Sequence, residues 1–183
     1  MSDVLTGAAA GLTATAPMTA VMTVLHRQLP ARQRRPLPPQ QITAGTLAAA
    51  GIDEAVAGPA QTALALAGHF GYGALCEAAY GPLARRLPGP GLAKGAAYGL
   101  GVWAVSYLGW VPAAGLLPSA TRAPAGRNAL MIPAHLVWGG VLGILTEAVQ
   151  RPTPGAEPEP VETERVERLP RPEPVGPVHQ PGT

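Results

Sequence analysis

Apolar residues run along the chain in four blocks, 4–26, 59–83, 92–117 and 128–149, separated by polar stretches. At about 1.5 Å of rise per residue, each block is long enough to cross a hydrocarbon core of roughly 30 Å as one helix. A buried helix of a soluble bundle needs polar positions every three or four residues on its outer face. The first and third blocks offer none: apart from the closing His26 and Lys94 at the very start of the third, their non-apolar residues are Thr, Ser and Gly. Pro59 and Asn128 suit helix starts, as a preset first residue and an N-cap. Pro17, Pro112 and Pro133 fall inside or near the ends of blocks, where membrane helices tolerate them because neighbours satisfy the freed carbonyls. The pattern predicts an all-α fold, a four-helix transmembrane bundle.

Small residues recur at helical spacing: Gly7 with Gly11, Gly95 with Gly99, Gly139 with Gly143, and Thr15, Thr19 and Thr23. In lipid such faces turn inward, because close packing rather than water drives helices together. The blocks also repeat. Residues 7–36 laid on residues 95–124 without gaps match at ten of thirty positions, including Gly11 with Gly99 and Pro36 with Pro124. After a shift for the shorter second loop, His69 to Gly73 lie on His135 to Gly139. Two duplicated helical hairpins are expected. Each has an even number of spans, so the copies run in the same direction through the membrane.

Composition divides the chain in two. Charged residues make up 13% of it, and ten of the 24 lie in residues 151–183 among nine prolines. That stretch cannot bury enough apolar surface to fold, so a membrane domain over 1–150 and a disordered Pro/Glu/Arg-rich tail over 151–183 are expected. A binding role for the tail stays open. A net charge of +2, scattered over the chain, argues against nucleic-acid binding. The single cysteine, Cys76, excludes a disulfide framework and a cysteine zinc site, and is read as a packing residue. No metal or other cofactor is expected. The first loop opens with Arg27, Arg32, Arg34 and Arg35, a solvated run facing the headgroups, and residues 40–50 suit a short surface helix stopped by Gly51. With no basic flank before it, the first block reads as an uncleaved helix. Six arginines beside loops one and three, against four basic residues on the other side, place loop one in the cytoplasm. Trp110 fits an interfacial belt, and Trp103 a position between helices.

Polar residues inside these blocks are the candidate chemistry. An ionisable side chain deep in a membrane helix costs about 2.5–3.5 kcal/mol at the bilayer centre and asks for a reason. His69 lies deep in the second block between the small residues Ala65 and Gly73, so another helix can come close. Thr15, Thr19 and Ser106 are its candidate hydrogen-bond partners. His135 occupies the matching position of the fourth block, and Glu77 and Glu147 lie near the opposite membrane face. The residues allow two readings: interhelical hydrogen bonds with interfacial anchoring, or proton and ligand handling by His69 and Glu77.

Pro36-Leu37-Pro38-Pro39, Gly68-His69 leading to Glu77, and His135-Leu136-Val137-Trp138 leading to Glu147 resemble the YagU-like bacterial inner-membrane proteins over roughly residues 30–147. The resemblance implies a small multi-span protein of the bacterial cytoplasmic membrane with no assigned activity. The leading expectation is a non-enzymatic membrane protein acting in envelope homeostasis or as a scaffold, with the lipid bilayer as its partner. The alternative is a small proton- or cation-linked transporter or channel. Four helices enclose little space, so that alternative calls for a homo-oligomer. No nucleophile–base pair or phosphate loop supports an enzyme.

Overall fold

The structure, a computed structural model, describes residues 2–150. These are all-α, without strands, and contain five helices of two turns or more. The tail expected over 151–183 lies outside the described residues. Helix α1 spans Ser2–Gln28, α2 Pro38–Ala49, α3 Pro59–Ala84, α4 Gly91–Ala104 and α6 Ala125–Gln150. Between α4 and α6 the chain continues through a π-helical segment, Val105–Trp110, into a last turn, α5, Val111–Ala113.

Local chemistry explains most of these boundaries. The α1 hydroxyls of Thr13, Thr15, Thr19 and Thr23 each donate to the carbonyl four residues back, at 2.8 Å, which satisfies them without leaving the helix. Beyond its C-terminus, the Arg34 guanidinium donates to the carbonyls of Arg27 and Leu29 at 2.7 and 2.8 Å. Arg34 therefore caps α1, a specific role the solvated basic run did not foretell. Short helix α2 starts at Pro38, whose φ is preset, and Gln40 Oε1 accepts the free Leu37 N–H at 3.2 Å. It stops at Gly51, whose φ of +70° lets the N–H groups of Gly51 and Ile52 turn back to the carbonyls of Ala48 and Leu47. The sequence placed this helix correctly within two residues.

Two expectations need correction. The third block was expected as one helix over 92–117, but regular α-helix ends at Ala104 and helical structure at Ala113. Pro112 is responsible: its ring crowds the carbonyl of Leu108, four residues back, and Gly109 absorbs the distortion at φ −110°, ψ −106°. Asn128 does not cap the fourth helix, which begins at Ala125; its amide donates to the Ala120 carbonyl at 2.9 Å instead.

Helix α6 is the centre of the assembly. It packs along α4 on one side and α1 on the other, α1 packs in turn on α3, and α3 meets α4 mainly through the side chains of Tyr98 and Lys94. The row α3–α1–α6–α4 thus leaves its two ends facing each other across a gap, with α2 laid against α3. Glycines set the two tightest crossings. A methyl group on Gly95 would strike the Gly139 carbonyl and come within 2.7 Å of Gly143 backbone atoms. One on Gly11 would come within 2.8 Å of both the Gly73 carbonyl and Glu77 Cβ. The pairs Gly11/Gly73 and Gly99/Gly139 occupy corresponding positions in the two sequence repeats, and both are in contact or close to it.

The core is apolar, built on Met22, Tyr80, Met131, Trp138 and Leu142, but large aliphatic side chains also face outward and several polar ones are buried. Leu75 is 67% exposed, Val105 65%, Leu92 56% and Ile144 51%, while Thr15, Glu77, Ser106, His135 and Thr146 are all buried. Among the described residues one helix, α6, is long and apolar enough to cross a membrane, with a mean hydropathy of 1.7 over its best stretch. The sequence pattern suggested four. Threonines lower the mean over the described part of α1, glycines and His69 lower that of α3, and α4 is cut short at Ala104.

Candidate functional site

The gap between α3 and the α4 side holds a cavity of about 380 Å³, covered by α2. Helical spacing builds its walls. From α3 come Ala65, His69, Tyr72 and Cys76, each three or four residues from the last and therefore on one face. Met131, His135 and Trp138 form the matching stripe on α6, Met18 and Met22 that on α1. Ile42 and Leu47 of α2 close the top, and Ser106, Tyr107 and Trp110 of the π-helical segment close the side.

Few polar atoms reach this space. His135 Nδ1 lies 2.8 Å from the Met131 carbonyl oxygen. A carbonyl can only accept, so Nδ1 carries the proton and Nε2 is left as an acceptor. The Tyr107 ring stands edge-on to the His135 imidazole at 5.9 Å, fixing its plane. His69 Nε2 is buried with no hydrogen-bond partner, and so is Trp138 Nε1. Where α3 faces the π-helical segment, the Tyr72 hydroxyl pairs with Ser106 Oγ at 3.0 Å and accepts from Trp110 Nε1 at 3.3 Å. These two bonds join α3 to the π-helical segment; farther along, Tyr98 of α4 donates to the Cys76 carbonyl at 2.7 Å and packs its ring on Tyr80. We expect Tyr72→Phe to remove both Tyr72 bonds while keeping the ring in place, costing about 1–2 kcal/mol in an unfolding titration. An unchanged midpoint would show that these two bonds do not hold the helices together.

The structure separates some expected partners and joins others. His69 and His135, which the repeat aligns, both line the cavity. Glu77 is absent from its walls: eight residues on from His69, it lies roughly 12 Å farther along α3. None of Thr15, Thr19 and Ser106 bonds His69, because the threonines are satisfied within α1 and Ser106 by Tyr72. Glu77 is instead 1% exposed in the contact of α1, α3 and α6, with Oε1 3.0 Å from the hydroxyl of Thr146. Glu147 Oε2 accepts from the Gly91 N–H at 2.7 Å, placing an acid against the start of α4, where the helix dipole favours it. Arg151, four residues on and so placed for an i, i+4 ion pair with it, lies outside the described residues.

Tyr72 and Thr146 carried no expectation from the sequence. The signal for Tyr72 was available, since it stands three residues beyond His69 and hence on the same face. Thr146 pairs with Glu77 through tertiary packing alone. Trp138 is 2% exposed and lies in the core, while Trp110, expected in an interfacial belt, is 41% exposed and faces outward.

An all-helical bundle with glycine-sealed crossings and a mostly apolar internal cavity is the class of protein these features define. The chain belongs to a family of unknown function, DUF6789, whose profile matches residues 1–156. No curated protein and no solved structure matches it.

Proposed function

We propose that this chain is a multi-pass integral protein of the bacterial cytoplasmic membrane that acts by binding a small apolar molecule rather than by catalysis. The outward-facing aliphatic surface carries the reading. Large aliphatic side chains point outward from α3, α4 and α6, while the closest helix crossings are made by glycines and several polar side chains are buried beside the apolar core. Water would penalise that arrangement by about 25 cal/mol per Å² of exposed apolar surface, whereas lipid does not. Mean hydropathy understates the other helices because it counts the glycines of their packed faces as though they met lipid. With its π-helical segment and last turn, the third span is 23 residues, Gly91 to Ala113, or roughly 34 Å. The likeness to the YagU-like inner-membrane proteins is part of this proposal, as are the four spans and the duplicated hairpins.

Binding is favoured over conduction by the positions of the two ionisable groups. A proton or cation path through His69 and Glu77 would have to connect them, yet the cavity reaches His69 and not Glu77. On this reading the protein stays in the membrane pellet after an alkaline carbonate wash and needs detergent to remain monodisperse. Recovery as a monodisperse species in plain buffer would overturn it.

A further inference from the structure

The cavity's polar atoms specify what it holds. His135 lines the cavity, and with Nδ1 committed to the Met131 carbonyl, Nε2 is the ring atom left to take a donor from a bound molecule. His69 and Trp138 line the same cavity, and His69 Nε2 and Trp138 Nε1 are buried without partners. A hydroxyl group provides one donor and two acceptor sites, so one hydroxyl can serve the imidazole acceptor while accepting from a neighbouring N–H. The remaining wall is apolar and adaptable: Met18, Met22 and Met131 offer polarisable sulfur suited to an aromatic ring. The volume falls near the lower end of the range for small-molecule sites.

The route of entry is also defined. Helix α3 is joined to α4 by the Tyr98–Cys76 bond and the Tyr80–Tyr98 ring contact, but where it faces the π-helical segment the Tyr72–Ser106 and Trp110–Tyr72 hydrogen bonds are what cross the seam. Tyr72 and Trp110 are 37% and 41% exposed on the outer face, between Leu75 and Leu108, which are more exposed still. The backbone there is π-helical and broken at Gly109, a local geometry that recurs at functional sites. On the membrane reading, this seam opens towards lipid tails and not towards water.

We propose that the cavity is a binding site for a lipid-soluble phenol, which enters from the bilayer between Tyr72 and Trp110. The hydroxyl meets His135 Nε2 and His69, and the ring lies among the three methionines. The proposal rests on the membrane-embedded binding reading, which names only a small apolar molecule.

Tryptophan quenching on the full chain in detergent micelles tests it, with a bromonaphthol as the probe and the matching bromonaphthalene, which lacks only the hydroxyl, as its control. We expect saturable quenching by the bromonaphthol, about tenfold tighter than by the bromonaphthalene, the difference one buried hydrogen bond makes. His135→Phe and His69→Phe should each bring the two probes to the same affinity. Gly68 supplies a variant that does not depend on the imidazoles: it lines the cavity, and a Cβ there meets nothing within 4 Å. Gly68→Leu should fold normally and weaken both probes. Equal affinity of the two probes for the unmodified protein overturns the site, and so does a folded His135→Phe that keeps the tenfold preference. A Gly68→Leu variant with unchanged quenching overturns it as well. The two levels fail separately. A protein that needs detergent but ignores the hydroxyl leaves the membrane reading standing and the phenol site refuted. One that is monodisperse without detergent yet prefers bromonaphthol keeps the site and loses the bilayer as its source.

Discussion

Gly95→Ala is expected to break the bundle, while Gly101→Ala, six residues along the same helical run, should tighten it slightly. The added atom is the same methyl group in both. At Gly95 it would overlap the Gly139 carbonyl oxygen and sit 2.7 Å from both N and Cα of Gly143. All of these are backbone atoms in the middle of a helix, so no side chain can rotate away, and α4 and α6 must separate along their whole shared length. The opposite face repeats the constraint, since methyls on Gly139 and Gly143 would strike the carbonyls of Gly95 and Gly91. Ordinary overpacking costs about 1–3 kcal/mol because soft neighbours yield. Here the neighbours are rigid and the crossing is the most extensive in the fold, so we expect about 4 kcal/mol or more. At Gly101 nothing lies within 4 Å, and alanine's better helix propensity should contribute about 0.8–1 kcal/mol of stability. Unfolding of both variants in a mixed-micelle denaturant series reads the difference directly. Equal midpoints would mean that α4 and α6 do not meet through these glycines.

That prediction also shows what a sequence can and cannot convey here. Spacing of four between Gly95 and Gly99, and between Gly139 and Gly143, announced two faces built for close approach, and the structure joins those two faces to each other. The alignment of His69 with His135 placed both imidazoles at one depth, and they share one cavity. Periodicity gave these because it is a property of each helix alone. The break of α4 at Ala104 was less legible, though its cause was in view: Pro112 was judged tolerable near a helix end, and the widening it forces begins a turn and a half before it. Pairings between helices were not legible at all. Glu77 was grouped with His69 because both are ionisable and lie on one helix. The packing of α6 against the far part of α3 instead gives Glu77 to Thr146, and the thinness of the α3–α4 contact gives His69 to the cavity. Which helices are neighbours decides which polar residues meet, and that depends on the whole row of helices, not on any stretch of it.

Glu77→Lys should prevent the folded protein from accumulating, whereas Glu77→Gln should leave it close to unmodified stability. The contrast follows from counting protons. Thr146 has one hydroxyl proton and two acceptors in reach, the Leu142 carbonyl at 2.8 Å and Glu77 Oε1 at 3.0 Å. Both contacts are hydrogen bonds at once only if a second proton resides on the carboxyl group, which then donates to the Thr146 oxygen. Glutamine supplies that donor from its amide without any titration, in nearly the same volume, so the change should stay within about 1 kcal/mol. Lysine brings a charge into a contact that leaves 1% of the residue exposed, beside a crossing where even a methyl on Gly11 has no room. A lone charge held away from water costs about 3–5 kcal/mol when nothing neutralises it. Since Glu77 is off the cavity wall, Glu77→Gln should also bind bromonaphthol as the unmodified protein does. The yield of folded protein and quenching, measured together, make the test sharp. Loss of folding in the glutamine variant would mean that an ionised carboxylate is required at this contact. Loss of binding with folding intact would tie Glu77 to the cavity after all, and with it the proton-linked alternative.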